Sequence, residues 1–330
     1  MAEIQGQFEK FHETIRMDYE MAKELRDRRD IVIEKVKKYL KEHALPGMTL
    51  LHQGSYKMKT GVKPIADLEY DIDVGLHFGI RPDDYAAAVV RKWVFEAVKE
   101  HTQRIEDKGP CVRVAYEKGF HIDLVAYSVW EKDGRETFCL AHKSNGWRPA
   151  DPPALIRYVD DYREKHFQDT EDSLTGTDQF RRCVRYLRRW NDVRLPRELD
   201  GKPTGLALVV LAIQRGVTGT RFVDRRSDDL RCLHVFCQNV ASTVGRLKAV
   251  KPTPENEDLF GRLSDKEMAT LIADFGTLRD TLRDAGATSD PVVACRRLQE
   301  VFGDDFPVPD PEDTAKKTGA PAIIRSSTSA

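Results

Sequence analysis

An α+β fold in two lobes, a mixed β-sheet lobe followed by a helical lobe, is predicted by three observations. Apolar residues recur at helical spacing along one long N-terminal stretch. They alternate at strand spacing within residues 48–140, and return to helical spacing from residue 154 onward. A chain of 330 residues can bury a substantial core, as one large or two closely packed domains. The sheet lobe with its long helix is placed at 1–150, the helical lobe at 151–305 and a flexible tail at 306–330.

Each element has its own signal. One helix is predicted over about 8–43, because Phe8, Phe11, Ile15, Tyr19, Ala22 and Leu25 recur at three- and four-residue steps. Val32, Val36 and Leu40 resume that pattern, and Ala44-Leu45-Pro46-Gly47 ends it. Residues 48–52 form a short strand. In 70–78, Ile72, Val74, Leu76 and Phe78 point one way, and Asp71, Asp73, Gly75 and His77 the other. Residues 82–103 read as a helix, and 111–116 with 120–127 as a hairpin about Glu117-Lys118-Gly119. Further strand surrounds the Asp133-Gly134 turn. After a loop at 144–153, helices follow at 154–165, 178–193, 205–214, 230–247 and 265–285. Beyond Phe306 the chain is rich in Pro, Thr and Ser, which predicts a flexible tail.

A net charge of −1 provides no global attraction for nucleic acid or anionic membrane, so any polyanion site must come from local clustering. No 18-residue apolar run is present, and the first residues lack the apolar core of a signal peptide. Six scattered cysteines read as reduced, buried thiols. Cytoplasmic residence is the expectation, with no membrane partner.

The chemistry centres on carboxylates. Side chains at i and i+2 of a strand share a face, so Asp71 and Asp73 stand together and repel unless a cation neutralises them. Magnesium prefers oxygen ligands and keeps positions open for phosphate oxygens. Asp123 lies mid-strand among apolar residues, and on a neighbouring strand it would complete a site for two ions about 3.5–4 Å apart. The ions expected are two Mg2+, with Mn2+ as the alternative. Taken alone, an Asp-x-Asp pair on an amphipathic strand is commonly a solvated face, and Glu69 is read as such a residue. What changes the weighing is the upstream segment. Gln53, Gly54 and Ser55 follow a strand and open a short helix, where glycine admits close approach of phosphate and the Ser55 hydroxyl can donate to it.

Gln53-Gly54-Ser55-Tyr56, Tyr70-Asp71-Ile72-Asp73-Val74-Gly75 and His121-Ile122-Asp123-Leu124 resemble the polymerase-β-like nucleotidyltransferases, and more narrowly the bacterial CD-NTases, relatives of cyclic GMP-AMP synthase and oligoadenylate synthase. Gly146-Trp147-Arg148-Pro149-Ala150-Asp151-Pro152 is similar to that family's linker between lobes, and residues 183–190 to its basic helix. Lys202-Pro203-Thr204-Gly205 is similar to the start of the following helix. The resemblance runs from the N-terminal helix to about residue 300. Fifteen residues separate Ser55 from Asp71, more than is usual, so the loop 57–69 is expected to differ locally.

The resemblance implies a bilobed fold with a cleft between the lobes, and Asp71, Asp73 and Asp123 as catalytic metal ligands. It implies nucleotide contacts from Gln53, Gly54, Ser55, Arg185 and Thr204, with ATP, GTP or other nucleoside triphosphates as substrates. A cyclic di- or trinucleotide would be the product, made for antiphage signalling and read by a separately encoded effector. Some members are joined through their C-terminus by a ubiquitin-like ligation system, which makes Ala330 a candidate attachment point. A linear or RNA-tailing transferase and a catalytically silent nucleotide sensor are the alternatives.

Seven arginines lie between residues 181 and 197, and Arg182, Arg185 and Arg189 share a helical face able to meet a triphosphate. Arg185 is assigned that role by analogy with the family, while Arg188, Arg194 and Arg197 are read as solvated or ion-paired. Nucleic acid is disfavoured as a ligand, because Tyr186 and Trp190 are better explained as core. Cys232-x-His234-x-x-Cys237 lacks a fourth ligand and is read as buried thiols with a packed histidine. His121 is read as pointing to the opposite face of its strand from Asp123, outside the chemistry.

Overall fold

The structure is a computed structural model that describes residues 3–17, 19–65, 70–117, 119–168, 170–171, 176–195 and 201–310, with backbone alone for 19–22. The helices α1 (Gln5–Ile15) and α2 (Tyr19–Glu42) precede strand β1 (Met48–His52), the short helix α3 (Gly54–Met58) and β2 (Tyr70–Phe78). Helix α4 (Ala87–Val98) leads to β3 (Arg104–Asp107), β4 (Val112–Tyr116), β5 (Phe120–Lys132), β6 (Arg135–His142) and β7 (Gly146–Ala150). The helical lobe follows with α5 (Pro152–His166), α6 (Gln179–Arg194), α7 (Gly205–Gln214), α8 (Asp229–Ala241), α9 (Asp265–Ala287) and α10 (Pro291–Phe302). This is the mixed α+β architecture expected.

One mixed sheet runs β1-β2-β5-β4-β3, with β6 on β5 and β7 on β6. Its central strand β5 pairs with β2 in parallel and with β4 and β6 antiparallel. The predicted alternation holds: Ile72, Val74, Leu76 and Phe78 are buried under α2 and α4, which leaves the aspartates on the other face. Asp133 and Gly134 both have positive φ, as a two-residue hairpin turn of type I′ requires.

Several expectations are corrected. The single helix over 8–43 is two helices, because Arg16 turns extended (φ −67°, ψ 148°) and bridges to Val62, while Lys63 N donates to Ile15 O at 2.7 Å. The two helices serve different cores. Phe8, Phe11 and Ile15 sit in the helical lobe, whereas Leu25, Val32, Val36 and Leu40 cover the sheet. Residues 4–15 therefore do not belong with the lobe placed at 1–150. The helix expected over 82–103 is confined to α4, with a turn over 99–103 leading into β3. Part of the loop at 144–153 is β7. Helix α8 stops at Ala241, short of residue 247, and α10 was not foreseen. The tail does not begin at Phe306: that ring is fully buried against Phe8, Phe11 and Phe302. Residues 311–330 lie outside the described residues, as do Glu69 and Arg197.

Candidate active site

Parallel pairing of β2 with β5 sets Asp73 opposite Asp123, and Asp71 lies two residues back on the same face. Neighbouring strands stand about 4.8 Å apart, so these carboxylates are forced together by the backbone. Burial first, then repulsion from Asp71 and Asp123, pushes the Asp73 carboxyl well above the usual carboxylate range, against the opposing pull of Arg113 and Arg188. A cation would relieve that repulsion.

Helix α3 closes over this face. Gly54 has φ +65°, and a Cβ there would stand 2.0 Å from Asp73 Oδ2, so only glycine lets the backbone approach the carboxylate. Gln53 Oε1 accepts from Tyr127 Oη at 3.1 Å, which ties the entry to α3 onto the sheet. Ser55 Oγ is buried beside the Tyr70 hydroxyl and lines the cleft, where its proton can be donated to a ligand oxygen. The three aspartates, Gln53, Gly54 and Ser55 line one side of a cleft of about 590 Å³ between the lobes.

Arg113 of β4 was missed by the sequence reasoning. Its Nε and Nη2 each lie 2.8 Å from an Asp123 oxygen, a bidentate pair in which Asp123 is itself buried. An arginine on the polar face of a strand next to a buried aspartate was a readable signal. With both Asp123 oxygens turned to Arg113, no group of three or more His, Cys, Asp or Glu among the described residues is poised to hold a metal ion. The donors are still the hard oxygens that magnesium takes, and the repulsion at Asp73 fits a cation. Ion entry would draw Asp123 away from Arg113. His121 is also corrected. Two residues before Asp123 it shares that face, with Nε2 4.0 Å from Asp123 Oδ2.

The arginine-rich helix α6 has a different use from the one expected. Arg181 Nε donates to Met58 O, Arg185 to Gly61 O and Lys59 O, Arg188 to Thr60 O and Arg189 to Lys63 O. The carbonyl that ends α3 and four in the segment after it are thus held by one helix face. Arg185 is buried, its Nη1 lies 2.5 Å from His12 Nε2, and it does not line the cleft. Burial, then the nearby Arg16 and Arg181, lowers its pKa to about 10, and burial and Arg185 drive His12 to about 2, so His12 is a neutral acceptor. The expected placement of Arg185 in the cleft is therefore corrected: the arginine of this helix that lines the cleft is Arg188, which also lowers the pKa of Asp73. A Cβ at Gly205 would come within 2.9 Å of Arg188 Cζ, so the glycine makes room for that guanidinium.

Thr204 lies in the cleft as expected, and its Oγ1 caps α7 by accepting from Ala207 N at 3.1 Å, which leaves the hydroxyl proton free for a ligand. Asp151 caps α5 in the same way, accepting from Ala154 N at 2.8 Å, the local reason for Asp-Pro at the junction of the lobes. Cys232 and Cys237 are buried in α8, consistent with packed thiols.

Comparisons with known proteins agree with this geometry. The sequence model of the family described as "Cyclic GMP-AMP synthase DncV-like, nucleotidyltransferase domain" matches residues 48–127. A c-di-GMP synthase from Roseivirga ehrenbergii is 23% identical over 178 residues, 49% of this chain and 47% of that protein. A cyclic GMP-AMP synthase from Escherichia albertii is 24% identical over 192 residues, 56% of this chain and 40% of that protein. The chain thus spans less than half the length of these curated relatives. The crystal structure of Vibrio cholerae DncV, a cyclic AMP-GMP synthase, superimposes with a TM-score of 0.72 at 14% identity, over 89% of this chain and 93% of that one. The same Vibrio enzyme has been solved with the linear intermediate pppA(3′,5′)pG and with a nonhydrolyzable GTP.

Proposed function

From the DncV-like nucleotidyltransferase domain at residues 48–127, we propose that this chain joins nucleoside triphosphates into a cyclic di- or trinucleotide. The observation that carries the reading is the in-register pair Asp73–Asp123, with Asp71 beside it and Gly54 packed onto Asp73. Asp71, Asp73 and Asp123 would hold two Mg2+ ions, or Mn2+, whose bound chemistry is to acidify a ribose hydroxyl and offset charge on the phosphates. Gly54 and Ser55 receive the terminal phosphates, Arg188 and Thr204 steady them from the helical lobe, and the cleft orients the attacking hydroxyl in line with the α-phosphate. Pyrophosphate leaves as the phosphodiester forms. No covalent nucleophile is needed, since positioning and charge neutralisation supply the rate.

The proposal extends to antiphage signalling through a separately encoded effector, and to ligation of Ala330 by a ubiquitin-like system. Both rest on the resemblance to CD-NTases. A cytoplasmic setting is supported by six free cysteines, and among the described residues no helix is long and apolar enough to cross a membrane. The test is incubation with labelled ATP, GTP, CTP and UTP plus Mg2+, followed by phosphatase and chromatography. The expected result is a phosphatase-resistant product lost in Asp73→Asn. Exclusively phosphatase-sensitive products would replace this reading with a linear transferase. Nucleotide binding without turnover would point to the sensor.

A further inference from the structure

The cleft has two walls of opposite character. Ser55, Arg188 and Thr204 bring hydrogen-bond donors and positive charge at the end suited to phosphates. Another part of the lining comes from the loop between α8 and α9, which contributes Lys251, Glu255 and Glu257. One lysine against two glutamates leaves this wall net negative, so it repels a triphosphate and is left to face the uncharged part of a nucleotide.

This wall is rigid. Val250 bridges to Asp258, Lys251 N donates to Glu257 O at 2.9 Å, and Asn256 N donates to Thr253 O at 2.9 Å. Gln214 of α7 pins the loop from below, donating to Val250 O at 2.6 Å and accepting from Val250 N at 3.2 Å. Lys251 Nζ is satisfied by Glu257 at 2.8 Å and stands 4.0 Å from Glu255 Oε1. The other Glu255 oxygen, Oε2, is buried and has no hydrogen-bond partner among the described residues. A buried acceptor without a donor is costly, and here it lies in the wall of a ligand cleft. Glu255 also reaches Tyr127 electrostatically. With burial and Asp73, it helps to hold the Tyr127 hydroxyl proton against the opposing bond to Gln53. Glu255 and the tyrosine that anchors the entry to α3 thus line one cleft.

Among the common bases, guanine alone offers two adjacent N–H donors, N1–H and N2–H, with the acceptor O6 beside them. A carboxylate takes both donors, and a neighbouring ammonium suits O6. Adenine has one amino donor next to the acceptor N1. Uracil sets its single N–H between two carbonyls, which a carboxylate repels. We propose that Glu255, set beside Lys251 on the loop 250–258, selects guanine in this cleft by accepting N1–H and N2–H. The inference rests on the nucleotidyltransferase reading and adds the base to it.

The test is calorimetric binding of α,β-methylene analogues of GTP, ATP and ITP to the full chain in Mg2+, since these triphosphates cannot be turned over at the α–β bond. The GTP analogue should bind ~10-fold or more tightly than the ATP analogue, the scale of one charge-assisted hydrogen bond. The inosine analogue, lacking the 2-amino group, should fall between. Glu255→Gln should collapse the preference, weakening the GTP analogue by about 10-fold or more while the ATP analogue holds or gains. Unchanged melting would show that Glu255→Gln still folds, and Glu255→Asp, with the carboxylate set back by one methylene, should weaken the GTP analogue too. If Glu255→Gln lowers all three alike, or leaves the GTP analogue unaffected, or if ATP binds tighter from the start, guanine selection by Glu255 is wrong while the nucleotidyltransferase reading stands. Failure of all three to bind the native chain would overturn both.

Discussion

The two lobes bury charge in opposite ways. In the sheet lobe, Asp71, Asp73 and Asp123 are crowded by strand register, and among the described residues only Asp123 has a strong counter-ion, Arg113. In the helical lobe, Asp229 is fully buried but accepts from Arg182 Nε and Nη2, from Gln179 and from Tyr186. Arg185 likewise gives its donors to Gly61 O, Lys59 O and His12 Nε2. The difference teaches where to look for chemistry in this chain. Satisfied buried charges hold the lobes in shape, and frustrated ones await a ligand.

Swapping the two kinds of aspartate should break the comparison most visibly. Asp73→Asn should cut turnover by ~1,000-fold or more, by analogy with loss of a preorganised electrostatic group. Its melting temperature should not fall, because the replacement removes repulsion. A lowered melting temperature would show that Asp73 is structural. Asp229→Ala should do the reverse, costing about 3–5 kcal/mol because it strands a buried arginine. Activity per folded molecule, measured below the transition, should persist.

Two arginines three residues apart sharpen the contrast. Arg188→Ala should raise KM for the triphosphate by ~10-fold or more with little change in melting, whereas Arg185→Ala should lower melting and leave KM nearly unchanged. Equal effects from both would dissolve the distinction. Magnesium and pH probe the frustrated site directly. The folded Asp73 holds its proton to higher pH than the unfolded chain does, so stability in chelator falls as pH rises above about 3.8 through the raised Asp73 range. Magnesium stabilisation should therefore be larger at pH 8 than at pH 5.5, read from melting curves with and without the ion. The smallest effect is expected at Thr204. Thr204→Ala should lose about 1 kcal/mol from the α7 cap and weaken nucleotide binding, while Thr204→Ser should retain both.

The sheet and its carboxylates were legible because alternation along an amphipathic strand is a local property that sets Asp71 with Asp73 and marks Asp123 as out of place, whereas the register of Asp73 with Asp123 came only from the pairing of β2 with β5. The break between α1 and α2 was not. Arg16 and Met17 fit a continuing helix, and the stop comes from pairing with Val62, nearly fifty residues away. Arg188 could not be chosen over Arg185 for a related reason. Periodicity fixes their separation at about 60° around the helix but not how the helix is rotated against the cleft. The loop bearing Glu255 depends on contacts across lobes, which no short window of sequence contains, whereas Arg113 was readable but overlooked.

The seating of α1 carries a consequence for synthesis. Phe8 and Phe11 complete their packing only against Phe302 and Phe306, residues made almost at the end of the described chain. A ribosome adding roughly 5–20 residues per second supplies Tyr186 to the first helix midway but leaves it without Phe302 and Phe306 until translation of this region is nearly over. A product truncated before Phe302 would keep the sheet sequence and all three aspartates, yet lack the rings that clasp the beginning of the chain to its end. Quality control would therefore meet such fragments with exposed phenylalanines, before they could assemble a working cleft.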